Sequence, residues 1–314
     1  MSKVVWADLH DYGVPLEDIQ RALAAAADVH YYYDRPDEAE FVERCRGAAA
    51  IVSDVMAITK EIIEQLPGLG MISVLGVGVD QIDRVHARSA GITLCNTPHY
   101  GDSTVAEFAL GMMIAISRHI VSADRSVREG NWQKFSGKDL RGSTMGIVGL
   151  GGVGSELAGM GNALGMEVIC YTRRPTPERA KEHNVRFVGL DELMSASDFV
   201  QLATELNDET TGLIGKTQLE LMKQEAYIIN VARATLVDQP ALLDMLKGGR
   251  IAGYATDTFE VEPAIDHPLS RLENVLLSPH TAWSTPSSGI NQMRLAADNI
   301  LAYLNGRPQN VIDW

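Results

Sequence analysis

Met145-Gly146-Ile147-Val148-Gly149-Leu150-Gly151-Gly152-Val153-Gly154 joins a short apolar strand to a glycine turn and then to a helix. The three spaced glycines have separate physical tasks, and each task excludes a side chain. Gly149 lets the chain turn tightly, Gly151 lets backbone approach a pyrophosphate, and Gly154 lets helix and strand pack closely. A helix beginning near Val153 then offers unpaired N–H groups and the positive end of its dipole to the phosphates. A second strand, Glu167-Val168-Ile169-Cys170-Tyr171, follows at the spacing of a βαβ unit, and this context turns a weak glycine pattern into a dinucleotide site.

Outward from that stretch, 314 residues with 46% hydrophobic content suit two domains, each with its own core. A formal charge of −14 with scattered basic residues argues against a nucleic-acid partner. The N-terminal residues lack a signal-peptide pattern and no apolar run reaches the ~20 residues of a membrane span, so a cytoplasmic protein is expected. Cys45, Cys95 and Cys170 are widely spaced in apolar stretches and read as buried, reduced thiols rather than a disulfide framework or metal site. No metal is called for.

In the first hundred residues, short β-rich runs (4–7, 29–33, 49–53, 72–75, 93–96) alternate with helical periods such as 16–26, predicting a small parallel α/β domain. From Asp102 to Ile120 the spacing predicts one long linking helix. Seven further strand candidates follow at 145–149, 167–171, 185–188, 198–203, 227–231, 251–256 and 275–277, an order that fits an open, doubly wound sheet. A last amphipathic helix starts after Ser284-Thr285-Pro286 and is expected to return to the first domain. The expected division is therefore 1–99 for the first part of a substrate domain, 100–284 for the dinucleotide domain with its linking helix, and 285–314 for the returning segment.

Cofactor choice is written where the second nucleotide-domain strand ends, in Tyr171-Thr172-Arg173-Arg174-Pro175. An acid usually meets the adenosine 2′-hydroxyl here, and none is present. Two guanidiniums instead offer charge-assisted bonds to a 2′-phosphate, which favours NADP(H) over NAD(H), with NAD(H) use still open.

Three later segments carry chemistry: Asn230-Val231-Ala232-Arg233-Ala234, Asp257-Thr258-Phe259-Glu260-Val261-Glu262-Pro263 and Ser278-Pro279-His280. With the glycine turn, their order resembles the D-isomer-specific 2-hydroxyacid dehydrogenase family along essentially the whole chain, hydroxypyruvate and glyoxylate reductases above all. That resemblance implies two doubly wound parallel-sheet domains, a flavodoxin-like substrate domain and a Rossmann dinucleotide-binding domain, and a homodimer formed through the nucleotide domains. It implies that Arg233 binds the substrate carboxylate and keto oxygen, that His280 is the acid/base, and that Glu262 orients and charges the histidine. Val77 and Gly78 match the backbone positions that hold the substrate carboxylate. Candidate cofactor contacts are Thr104, Gly149, Gly151, Gly152, Val153, Gly154, Thr172, Arg173, Arg174, Thr204, Val231, Ala232 and Asp257, the last matching an acid that meets the nicotinamide amide. The chemistry agrees: reduction of a 2-keto acid leaves charge on oxygen, which an imidazolium and a guanidinium can meet.

Three positions depart from or refine the family pattern. Ala234 replaces the usual glycine after the arginine, and Glu205 stands where proline is common, so that it either turns to solvent or changes how the loop meets the cofactor. Trp283 resembles the Ala-Trp of hydroxypyruvate and glyoxylate reductases and favours a small, polar keto acid. Other readings stay open, namely a non-catalytic, dinucleotide-sensing corepressor and a phosphite- or phosphoglycerate-type dehydrogenase. Glu262 speaks against a formate type, which pairs its histidine with glutamine.

Overall fold

A computed structural model describes residues 1–10, 13 and 15–312. It divides into Met1–Gly101 with Ser284–Trp314, and Asp102–Trp283. The first unit opens with β1 (Lys3–Trp6), α1 (Glu17–Ala24), β2 (Asp28–Tyr31), α2 (Glu38–Cys45), β3 (Ala50–Ser53), α3 (Lys60–Glu64), β4 (Met71–Val74), α4 (Arg84–Ser89) and β5 (Thr93–Cys95). The second contains α5 (Asp102–Ser117), α6 (Ile120–Arg128), β6 (Thr144–Val148), α7 (Gly152–Ala163), β7 (Glu167–Tyr171), α8 (Pro177–His183), β8 (Arg186–Phe187) and α9 (Leu190–Ala196). It continues with β9 (Phe199–Leu202), α10 (Lys216–Glu220), β10 (Tyr227–Asn230), α11 (Gln239–Lys247), β11 (Gly253–Thr256) and β12 (Val275–Leu277), after which α12 (Pro286–Leu304) belongs to the first unit.

Both sheets are parallel throughout. The first has the order β2-β1-β3-β4-β5, a flavodoxin-like order, and the second β12-β11-β10-β9-β6-β7-β8, a Rossmann order with one further strand. The expected fold class holds in both units. The interior strand runs were legible because a parallel sheet covered on both faces needs apolar residues at successive positions. In the first sheet Val5, Ile51 and Ile72 face Phe41 and Ile62 on one side. Val4, Trp6 and Val52 face Leu23, Met293, Ala296 and Ile300 on the other, so α1 and α12 cover that face. In the second, Val148, Val200, Leu202 and Ile228 pack with Leu193, Leu219, Leu242 and Leu246. Ile147, Phe199 and Ile229 pack with Ala106, Met113, Leu157 and Ala158 of α5 and α7. Each fully buried aliphatic side chain of this kind contributes about 1.5–3 kcal/mol.

The long linking helix is a correction. It stops at Ser117, His119 adopts φ 52°, and α6 departs at 60°. Apolar spacing continues through Ile120, yet the Ser117 carbonyl is taken by the amide of Lys138 at 3.0 Å and so has no role in extending the helix. The Ser117 hydroxyl donates back to the Met113 carbonyl at 2.7 Å. Among the described residues, no single helix is long and apolar enough to cross a membrane. All three cysteines are buried thiols, and burial pushes Cys45, Cys95 and Cys170 up to about 12, 11 and 12.

Candidate active site

The glycine turn closes β6 at the centre of the second sheet, where the strand order reverses between β9 and β7. Gly149 sits at φ +99°, and a Cβ there would meet the Ala203 carbonyl oxygen at 2.5 Å. A Cβ on Gly154 would meet the Gly149 carbonyl oxygen at 2.1 Å, so this glycine serves the close approach of α7 to the turn. Gly151 differs, for its Cβ would meet nothing within 4 Å. Internal packing therefore gives no reason for its bare backbone, whereas a phosphate resting on the N-terminus of α7 would. Gly152 has a reason that the motif did not disclose: its missing Cβ leaves room for the Asp102 carboxylate at the start of α5, whose Oδ2 would lie 1.8 Å from it. Thr104 is in the first turn of the same helix, half-buried.

At the end of β10, the fully buried Asn230 shapes the turn that carries Arg233. Its Oδ1 accepts the Ala232 amide at 3.1 Å and its Nδ2 donates to the Arg233 carbonyl at 2.9 Å. The motif gives Asn230 no role of its own, and its two hydrogen bonds reveal it as the residue that shapes the arginine's turn. The half-buried Arg233 side chain donates to the Ala232 carbonyl at 2.9 Å. Ala234 opens a 3-10 turn and buries its methyl group, so the extra bulk is absorbed by packing.

The loop after β11 folds back on itself to present Glu262. One carboxylate oxygen accepts the Phe259 amide at 2.9 Å, and the other lies 2.7 Å from Nδ1 of His280. His280 follows β12 in a left-handed conformation, φ 54°, a region histidine enters more readily than most residues. The turn is held by Ser278 Oγ and Thr281 Oγ1 at 3.0 Å and by the Ala282 amide, which donates to Asp257 at 2.8 Å. Glu262 raises the His280 pKa above its ordinary value of 6.5, chiefly through that hydrogen bond, and burial and the nearby Arg233 charge oppose it. Glu262 itself is held below the usual carboxylate range by His280 and the Phe259 amide, against the effect of burial. Arg233, Glu262, His280 and Asp257 thus act on one another electrostatically within one unit.

Asp257 is fully buried, and burial pushes its carboxyl above the ordinary range, offset in part by the Ala282 amide and His280. Its Oδ1 has no hydrogen-bond partner among the described residues. A buried acceptor left without a donor costs on the order of 1–3 kcal/mol. A carboxamide N–H would satisfy it, so this acid and the open glycine turn both fit a nicotinamide dinucleotide.

The remaining candidates spread along neighbouring strand ends. Thr172 is half-buried after β7, Arg173 and Arg174 are exposed, Val231 and Ala232 are half-buried after β10, and Val153 lies in the first turn of α7. Thr204 is half-buried, and Glu205 turns to solvent, the first of the two outcomes its position allowed. Arg179, on the polar helix α8, was not singled out from the sequence. Its guanidinium donates to the Leu150 carbonyl of the glycine turn and, at 2.8 Å, to the Arg174 carbonyl. In the other unit, Val77 and Gly78 form the turn after β4, where Asn96 donates to the Val77 carbonyl at 2.8 Å and Val77 is 52% exposed. The two amides make no hydrogen bond among the described residues.

Comparison with known proteins places this geometry. Residues 110–282 match the model of the D-isomer specific 2-hydroxyacid dehydrogenase NAD binding domain. Glyoxylate reductase from Thermococcus litoralis is 37% identical over 289 residues, covering 88% of this chain and 87% of that protein. D-3-phosphoglycerate dehydrogenase from Archaeoglobus fulgidus is 40% identical over 263 residues, 83% of this chain, and the match spans about half (50%) of that longer relative. Among solved structures, an acyclic imino acid reductase (Bsp5) in complex with NADPH and D-Arg superimposes with a TM-score of 0.90 at 30% identity, covering 99% of this chain and 100% of that one. With an NAD-binding domain of the matching family and an Arg-Glu-His set on its strand ends, the chain belongs to the D-isomer specific 2-hydroxyacid dehydrogenases, a family of oxidoreductases.

Proposed function

We propose that the protein reduces a small 2-keto acid with NADPH, either glyoxylate to the achiral glycolate or hydroxypyruvate to its D-2-hydroxy acid. The observation that carries this reading is the 2.7 Å contact between His280 Nδ1 and Glu262, because it leaves Nε2 as the proton-donating atom. A reduced nicotinamide, when bound, would supply the hydride for the carbonyl carbon. As negative charge develops on the keto oxygen, His280 gives it the Nε2 proton and Arg233 meets oxygen and carboxylate with its planar fork. The Val77 and Gly78 amides are assigned to the carboxylate, Asp257 to the carboxamide of the cofactor, and the glycine turn with Thr104, Thr172, Thr204, Val231 and Ala232 to its remaining length. Arg173 and Arg174 support the phosphorylated cofactor, and the Trp283 side chain supports a small substrate.

A second reading has its own support. The similar solved structure is named as an imino acid reductase with NADPH. A protonated imine already carries its proton on nitrogen, so hydride transfer to it needs no acid from His280. A spectrophotometric screen at 340 nm decides both questions: glyoxylate, hydroxypyruvate, pyruvate and 3-phosphohydroxypyruvate are tested with NADPH and NADH, each with and without added amine. Turnover of glyoxylate or hydroxypyruvate without amine supports the first reading. Turnover only with amine supports the second, and no turnover of any supports a non-catalytic sensor.

The histidine must be protonated to donate. Its folded pKa lies above 6.5, so kcat/KM for reduction is expected to be level below that pKa and to fall about tenfold per pH unit above it. Glu262→Gln removes the largest cause of the shift, and the break in the profile is expected to move to lower pH. An unmoved break would show that Glu262 does not charge the histidine.

A second copy of this chain is the proposed partner, through the second unit. Ile120, Val121 and Val127 on α6 and Trp132 just beyond it are exposed, Trp132 by 81%. Light scattering at micromolar concentration is expected to give twice the mass of one chain.

A further inference from the structure

The turns after β7 and β9 leave the two strands on either side of β6, so their residues flank the glycine turn. One ion pair joins them: Arg173 Nη1 donates to Glu209 Oε2 at 3.0 Å. The backbone that carries Glu209 is well held, although its carboxylate is exposed. Its amide donates to Asn207 Oδ1 at 3.0 Å, the amide of the buried Thr210 does so at 3.1 Å, and the Thr210 hydroxyl closes the turn onto the Glu205 carbonyl at 2.7 Å. The other two arginines of this corner differ from Arg173. Among the described residues neither Arg174 nor Arg179 pairs with a carboxylate, and Arg179 spends its donors on the carbonyls of Leu150 and Arg174. In a chain of net charge −14, Arg179 beside the glycine turn and Arg174, whose carbonyl Arg179 holds, are two guanidiniums without a paired carboxylate near where an anion would bind. Arg173 alone is neutralised.

We infer that Glu209 is an internal competitor for the 2′-phosphate: its carboxylate holds Arg173 in the free protein and gives it up when the phosphate arrives. The inference rests on the proposed preference for the phosphorylated cofactor. A dianionic phosphate has more charge and more acceptor oxygens than a carboxylate, so it displaces Glu209 from the guanidinium. A 2′-hydroxyl has neither and leaves the pair closed. Glu209 therefore weakens binding of NADPH without touching that of NADH, and its charge lowers the discrimination that the three arginines would otherwise give.

Dissociation constants measured by nucleotide fluorescence and calorimetry on the full chain test this, with NADPH, NADH, adenosine 2′,5′-bisphosphate and AMP as probes. Glu209→Gln, a change at an exposed side chain, is expected to bind NADPH and the bisphosphate about three- to tenfold more tightly, the range open to an exposed ion pair together with like-charge repulsion. Its affinity for NADH and AMP is expected to stay within about twofold, because a 2′-hydroxyl does not have to open the pair in the wild type and so gains little from its removal. In the Arg173→Gln background the gain from Glu209→Gln should shrink. Equal tightening of phosphorylated and unphosphorylated probes, or no tightening, would overturn the exchange. The wild-type ratio of NADPH to NADH affinity tests the cofactor reading separately: a wild type that prefers NADH sinks that reading, while the change caused by Glu209→Gln on the bisphosphate still decides for or against the exchange.

Discussion

Replacing His280 with glutamine is expected to lower kcat for keto-acid reduction by ~10²–10⁴, the loss typical of a missing acid/base group. Glutamine keeps comparable volume and a hydrogen-bonding end, so the turn held by Asp257, Ala282, Ser278 and Thr281 has no cause to collapse. It has no proton to give, however, and the developing alkoxide must take one from water. KM should move far less than kcat, because the ground-state carbonyl asks little of the imidazole. The break in the pH profile assigned to the histidine should vanish as well. Steady-state kinetics between pH 5.5 and 9 checks all three, and near-wild-type turnover would remove the imidazole from the mechanism. If the imine reading is the right one, the same variant should keep most of its activity with amine present.

Arg233→Lys is the second large effect, in spite of the retained charge. A guanidinium can address carboxylate and keto oxygen together through a rigid planar fork, whereas an ammonium is a compact point charge that reaches one of them. Loss of a preorganised donor at a developing oxyanion typically costs ~10²–10³ in kcat. A rise in KM is expected alongside it, since the ground-state carboxylate also loses a partner. The change should leave the fold intact, because Asn230 shapes the Ala232–Arg233 turn through backbone groups that lysine shares. The melting temperature separates the two effects: an unchanged value with slow turnover supports a role in the site, and a turnover within twofold of wild type would deny it (~0.4 kcal/mol of barrier).

Much of the molecule could be read in advance because its signals are local. Glycine spacing announced the turn, since each task there excludes a side chain, and Gly149 and Gly154 do lie where a Cβ would strike backbone. Apolar runs marked the strands because both faces of each parallel sheet are covered. Local signals misled at Ile120, where apolar spacing continued past a helix that had already ended, its last carbonyl claimed by Lys138 from a different segment. They were silent about Arg179 and Glu209, which lie on polar surface where no periodicity distinguishes a solvated charge from one aimed at a neighbouring turn.

Order along the chain by itself determined the sheet class, the place of the nucleotide turn and the residue types suited to hydride and proton transfer, since these depend on neighbours within a few positions. The motifs implied that Glu262 serves His280, and only the tertiary structure decided that the two meet at 2.7 Å across 18 residues, that Asp257 Oδ1 is buried without a donor among the described residues, and that Arg173 is already matched by a carboxylate. Contacts of that kind depend on which strand lies beside which and on how each loop folds back, and chain spacing carries no measure of either.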